Sequence, residues 1–265
     1  MRRRLFPLAL VAALTLLLCF LTFPIAAIFV EVGPGSLVDS LGEQSSLDAL
    51  LLSLETSLLA LALIVLVGTP AAWLLATRRF RGRDVLLTLV ELPLVLPPAV
   101  AGIGLLAAFG PQGVFGGALD EAGVELVFET AGVVVALTFV ASPFYVRQAV
   151  AAFESVDPNL LAASRTLGAG EARTLARVAV PTAFPSLVAG GALAWGRALG
   201  EFGATLVFAG SLQGITQTAP LAIFAEFATD FTGAIALSAV LVALSAAILF
   251  GVKLVARTGA PSVDV

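Results

Sequence analysis

The sequence predicts an all-α integral membrane protein with six transmembrane helices. Three observations carry this. The 265-residue chain is 59% apolar and only 12% charged, with a mean hydropathy of +1.06. A soluble domain of this length cannot bury so much apolar surface. Six separate stretches are long and apolar enough to match a bilayer core about 30 Å thick. Basic residues cluster in alternate connections.

The spans are taken in order. Leu5–Val30 has no charge. Its Arg2, Arg3 and Arg4 flank resembles a signal-peptide n-region, but the apolar stretch exceeds the usual h-region, which favours a retained helix. Leu58–Ala76 is the second span, preceded by Glu55. Leu92–Phe109 is the third and carries Pro93, Pro97 and Pro98. Ala131–Val146 is the fourth and extends past Arg147. The fifth runs from about Pro181 to Ala209 and is interrupted by Arg197 and Glu201. Ala234–Val252 is the sixth. Backbone amides in lipid must be satisfied internally, so these are helices. No run of short alternating segments suggests a β-barrel.

Thirteen of the 14 basic residues fall at the N-terminus, in the second-to-third and fourth-to-fifth connections, and at the C-terminus. The other connections hold none, and carry Glu31, Asp39, Glu43, Asp48, Asp120, Glu121, Glu125, Glu129, Glu226 and Asp230. By the positive-inside rule both termini are expected in the cytoplasm.

Composition also excludes chemistry. The chain has no His and a single Cys, Cys19. That removes disulfides, imidazole metal sites and Ser-His-Asp catalysis. No basic face suited to nucleic acid is present. No G-x-x-x-x-G-K-[ST] stretch occurs, and Gly168-Ala-Gly170 is followed by no Lys. Any nucleotide-derived energy must come from a partner.

The stretch from about 154 to 181 is long for a connection. Asp157-Pro158 marks a turn, Leu160–Leu167 favours helix, and Gly168 stops it. A helix resumes over Glu171–Val178, and Pro181 and Pro185 are expected to open the fifth span. A docking element and a plain amphipathic connector both fit this pattern. Arg197 and Glu201 stand four residues apart, on one face of the predicted helix. Charges within a membrane mark pathways by default, though a purely structural pair also fits. Thr138, Ser142 and Thr205 offer hydroxyls to an anion, or serve as helix–helix hydrogen-bond groups; for Thr138 and Ser142 the latter reading is preferred.

These residues carry a family resemblance. ASRTLGAGEARTLARVAVP, Ala162 to Pro181, resembles the EAA loop of ABC-importer permeases: Gly168 is followed by nine residues and then Val178, Ala179, Val180 and Pro181. It departs at the start, with Ala162 where the family has Glu and Ser164 replacing the second Ala. GTPAAWLLA (Gly68–Ala76) and LPLVLPPAVAG (Leu92–Gly102) also resemble permease helices. GEFGAT, Gly200–Thr205, resembles the molybdate/tungstate type, as does GSLQGITQTAPLAIF with Thr216, Thr218 and Pro220. Sulfate permeases are the related alternative.

The resemblance implies a type I ABC-importer permease fold over residues 1–265, with an ATPase-coupling loop at about 154–181. Its coupling residues would be Ala162, Ala163, Ser164, Arg165, Gly168, Ala169 and Pro181. The translocation pathway or gate would include Arg197, Gly200, Glu201, Phe202, Gly203 and Thr205. It implies import of an oxyanion, molybdate or tungstate. The expected partners are a second copy of the chain, two cytoplasmic ABC ATPase subunits carrying ATP and Mg, an extracytoplasmic binding protein, and lipid. The chain itself is expected to bind no cofactor and to be no enzyme. An ion-coupled secondary transporter and a membrane scaffold are the competing classes; the docking-like loop and the lack of visible internal repeats weigh against the former.

Overall fold

The computed structural model describes residues 2–33, 35 and 42–258, and no strand occurs among them. Asp39 and residues 259–265 lie outside the described residues, as do the side chains of Arg2, Arg3, Arg4, Lys253 and Arg257. The helices are α1 (Arg2–Glu31), α2 (Gln44–Thr77), α3 (Arg83–Val95), α4 (Pro98–Phe109), α5 (Gly116–Glu121) and α6 (Thr130–Glu154). After them come α7 (Pro158–Thr166), α8 (Glu171–Thr174), a π-helical turn at Leu175–Ala179, α9 (Val180–Leu199), α10 (Gly203–Ala209), α11 (Ala219–Phe227) and α12 (Phe231–Thr258).

Five helical stretches are long and apolar enough to cross a membrane, and the count is six if the bent pair α3–α4 is one broken span. The third span is not the single helix expected over Leu92–Phe109. It bends by 117° between Val95 and Pro98. Leu96 and Pro97 take extended backbone, with ψ of 131° and 136°. A residue before proline is driven out of the α region, and two consecutive prolines supply no amide donors. Pro98 then sits in the first turn of α4, where its missing donor costs nothing.

The second span is longer than Leu58–Ala76. The helix starts at Gln44, and 34 residues make it roughly 50 Å long. Counted back from Thr77, a bilayer-length stretch ends near Ser57, which leaves Glu55 at the edge. The fifth span also begins earlier than Pro181: helix runs from Glu171 to Leu199. The π turn precedes Pro181, whose ring would otherwise press on the carbonyl one turn back. The span ends at Leu199, not at Ala209.

The core lies where α2, α6 and α9 meet. Ala60, Ile64, Leu137, Ala141, Tyr145, Ala149, Phe153, Leu187 and Ala194 fill it. Small residues let the helices approach closely, as lipid-exposed bundles require. A Cβ on Gly68 would stand 3.0 Å from the Tyr145 ring, and one on Gly190 would stand 2.9 Å from Gln148. Tyr145 and Thr69 share a hydroxyl hydrogen bond of 2.6 Å, and the Trp195 indole donates to Ser57 Oγ at 2.9 Å. The membrane-length stretch of α1 buries no residue in the single chain. Ile28 and Val32, near its end, pack against Ala236, Ala239 and Ile235 of α12.

Candidate functional site: a broken-helix junction and a surface loop

The junction follows α9. Three residues, Gly200, Glu201 and Phe202, separate Leu199 from Gly203, where α10 starts. Glu201 is therefore not on the same continuous helix as Arg197, as the spacing had suggested. The backbone stays turned, since the Glu201 amide donates to Ala198 O at 3.1 Å. The two side chains still meet: Arg197 Nη2 lies 2.5 Å from Glu201 Oε2. Glu201 is 1% exposed and Arg197 28%. The other carboxylate oxygen, Oε1, accepts from the Ala204 amide at 2.7 Å. Glu201 thus satisfies an orphan donor in the first turn of α10 and holds a guanidinium at once.

Two half-helices cross at this point. A Cβ added to Gly203 would fall 2.7 Å from Pro98 Cβ, and one on Gly102 would fall 2.6 Å from Val207 Cβ and 2.9 Å from Ala204 O. Hence α4 and α10, each following a break, pack backbone to backbone. Ala101, Val140 and Ala204 form the apolar contact beside them. Breaks in membrane helices are tolerated where protein surrounds them. Two hydroxyls among these helices, Thr205 Oγ1 and Thr138 Oγ1, are buried without a partner. Thr205 is itself fully buried. The Phe202 ring leans the other way, 5.0 Å from the ring centre of Phe224 on α11. Ser142 donates only to its own helix, to Phe139 O at 3.4 Å.

The stretch after Gly210 is fastened to itself and to α2. Thr216 Oγ1 accepts from the Leu212 amide, and the Ser53 hydroxyl on α2 accepts from the Ala219 amide at 2.6 Å. Thr218 precedes α11, and Pro220 lies in its first turn.

At the far end of α9, roughly 30 Å away by helix length, stands the surface loop. Asp157 caps α7, its carboxylate accepting from the Asn159 amide at 2.8 Å. Gly168 ends it at φ +80°, and the Ala169 amide donates back to Ser164 O. No atom crowds a Cβ at Gly168, so the dihedral alone demands glycine. Ser164 and the buried Thr174 share a hydrogen bond of 3.0 Å, tying α7 to α8. The Glu171 carboxylate lies 3.3 Å from both Arg78 and Arg165. Arg165 is thereby linked, through Glu171, to the end of α2. Leu167 is 88% exposed and Leu160 is exposed as well. Ala162 and Ala163 lie on the exposed side of α7. Pro181 lies apart from these residues, inside the continuous helix.

The junction residues singled out from sequence are thus neighbours, and the loop residues form a second, separate group. Pro98, Gly102 and Ala204 complete the junction and were not singled out. Gly102 and Pro98 stood in the proline-rich stretch, but only the crossing of α4 and α10 shows why Gly is needed.

A multi-pass helical bundle with two helix breaks meeting inside it defines a polytopic α-helical membrane protein. Residues 64–258 match the family described as "Binding-protein-dependent transport system inner membrane component". The molybdenum transport system permease protein ModB of Mycobacterium tuberculosis is 43% identical over 233 residues, covering 88% of each chain. The sulfate transport system permease protein CysW of Synechocystis is 33% identical, over 93% of this chain and 91% of that one. The fold resembles a chain in the crystal structure of a bacterial alginate ABC transporter, with a TM-score of 0.77 at 17% identity, covering 97% of this chain and 95% of that one. The chain belongs to the family of inner-membrane components of binding-protein-dependent transport systems.

Proposed function

We propose that this chain is the membrane permease subunit of an ATP-driven importer for molybdate or tungstate. The observation that carries this reading is the similarity to the mycobacterial molybdenum permease along nearly the whole chain. Sulfate is the second reading, supported by the lower identity to the cyanobacterial sulfate permease.

In this reading the whole chain is one permease domain and works as a homodimer, with the pathway along the twofold axis. Both termini and the loop at about 154–181 face the cytoplasm. An external binding protein delivers the oxyanion, and two ABC ATPase subunits, holding ATP and Mg, engage the loops. The chain itself binds no cofactor and catalyses no hydrolysis. Nucleotide binding shifts the dimer between inward- and outward-open states because it favours one of them.

The loop is suited to carry force. Ala162, Ala163, Ser164, Arg165, Gly168 and Ala169 lie on or just past a stiff helix fastened by Ser164–Thr174 and Arg165–Glu171. Pro181 lies where that motion enters α9. At the other end of α9, Arg197 offers a balanced positive charge, since Glu201 offsets it. Gly200, Phe202, Gly203 and Thr205 shape the surrounding break. A balanced cation and unpartnered hydroxyls can pass an oxyanion without trapping it.

The test is uptake into proteoliposomes holding the chain, its ATPase and its binding protein. ATP-dependent accumulation of molybdate, with sulfate in excess failing to compete, is the expected result. Efficient competition by sulfate favours the second reading. Uptake along an ion gradient, with no ATPase present, refutes both.

A further inference from the structure

At the end of α2 and α6 lies a cavity of about 900 Å³, bounded by the α2–α3 turn and by α7. Its apolar lining includes Phe80, Val85, Phe153 and Leu161. Its charged lining is Arg79, Arg81, Arg83 and Arg165 against only Asp84 and Glu154.

Two of these arginines are already engaged. Arg83 donates from Nε to Leu75 O at 2.6 Å, and its Nη2 lies 2.5 Å from Glu154. Asp84 stands 3.7 Å from the same guanidinium. Arg165 is held by Glu171. Arg79 and Arg81 have no carboxylate partner among the described residues, and both are exposed. The lining thus holds four positive charges against two negative ones, with Arg79 and Arg81 unpaired on the rim.

The position matters as much as the charge. The turn follows the last residue of a membrane-length helix, Thr77. Next comes α3, whose Val85, Leu86, Leu89 and Leu92 are exposed apolar side chains suited to hydrocarbon. Arg79 and Arg81 therefore sit at the depth of lipid headgroups. Gly82, at φ +92°, makes the tight turn between the arginines and α3.

We infer that this cavity binds the headgroup of an anionic phospholipid, its phosphate between Arg79 and Arg81 and its upper acyl chain over Phe80 and Val85. Cationic pockets at the ends of membrane helices suit such headgroups, and arginine matches phosphate geometry. The bound lipid would bridge the α2–α3 turn and α7, and so brace the loop that we propose to engage the ATPase. The inference itself does not require that reading.

The test uses the full chain in nanodiscs of phosphatidylcholine with a minor fraction of phosphatidylglycerol. Native mass spectrometry then counts the lipids retained on release. Wild type is expected to retain phosphatidylglycerol selectively. R79Q with R81Q is expected to lower that retention roughly tenfold or more. R173Q with R177Q removes the same charge from α8 and the π turn, and is expected to change nothing. Equal loss in both double variants would reduce the effect to general surface charge and overturn the site. Displacement by soluble glycerol phosphate, or loss of the lipid when the ATPase subunit is added, would overturn it in favour of a free phosphate or a protein partner.

Discussion

Arg197 and Glu201 lie 2.5 Å apart across the break between α9 and α10, and the same carboxylate accepts the Ala204 amide. Glu201 is the less exposed partner and the better anchored one. In the proposed function Glu201 positions Arg197, and the partly exposed guanidinium is the group that a passing anion would meet. Arg197→Ala should reduce uptake at least tenfold, and Arg173→Ala, on the exposed α8, should leave it near wild type. Equal, mild effects in a vesicle assay would make the pair purely structural.

The carboxylate can be dissected further. Glu201→Gln keeps an acceptor for the Ala204 amide but loses the charge that balances Arg197. Glu201→Ala loses both and should destabilise the fold by about 3 kcal/mol, as expected for breaking a buried pair. Thermal unfolding in detergent should rank the variants wild type, Gln, Ala. An Ala variant as stable as wild type would contradict the capping role.

The crossing of α4 and α10 leaves no room for side chains. Gly102→Ala should cost about 1–3 kcal/mol, because the new methyl meets Val207 Cβ and a backbone oxygen below 3 Å. Gly104, two residues on, has open space at its Cβ, so Gly104→Ala should be neutral or slightly stabilising. The difference in melting temperature between these two variants checks the crossing directly.

Gly168 carries the loop prediction. Its positive φ penalises any branched residue, so Gly168→Val should distort the end of α7 at a local cost of about 1–2 kcal/mol. Uptake should fall while the ATPase subunits still hydrolyse ATP. Gly168→Asn, whose side chain tolerates this conformation, should restore much of the coupling. Unchanged uptake in the Val variant would count against a coupling role.

A pH effect is expected from Glu226, outside the membrane-length helices. Burial, and the nearby Glu43 and Asp230 charges, raise its pKa above the usual 4.5, with Ser46 partly opposing. A raised carboxyl pKa means the folded state holds the proton more tightly than the unfolded one. Stability from this group is full below 4.5 and is lost as pH climbs through the raised value. Glu226→Gln should flatten the decline in melting temperature between pH 4.5 and the raised value. An unchanged pH profile would refute the assignment.

How much of this was legible beforehand differs by element. Hydropathy suffices for the helical membrane class and for five of the six expected spans, because the cost of burying charge in lipid is set locally, residue by residue. Asp157, Pro158 and Gly168 likewise mark the ends of α7, since caps and positive dihedrals act within one turn. The start of α2 at Gln44 was missed, because a helix continuing beyond the bilayer needs no apolar run. The 117° bend was missed as well, although its prolines were in view.

Linear sequence alone thus determined a helical membrane chain and its loop, both products of short-range spacing and solvent. Only the tertiary structure decided that Glu201 lies beyond the end of α9, that Gly102 meets Val207, and that Glu171 joins Arg78 to Arg165. Those contacts join residues brought together by packing of distant segments, and packing is settled by the shapes of all the helices at once.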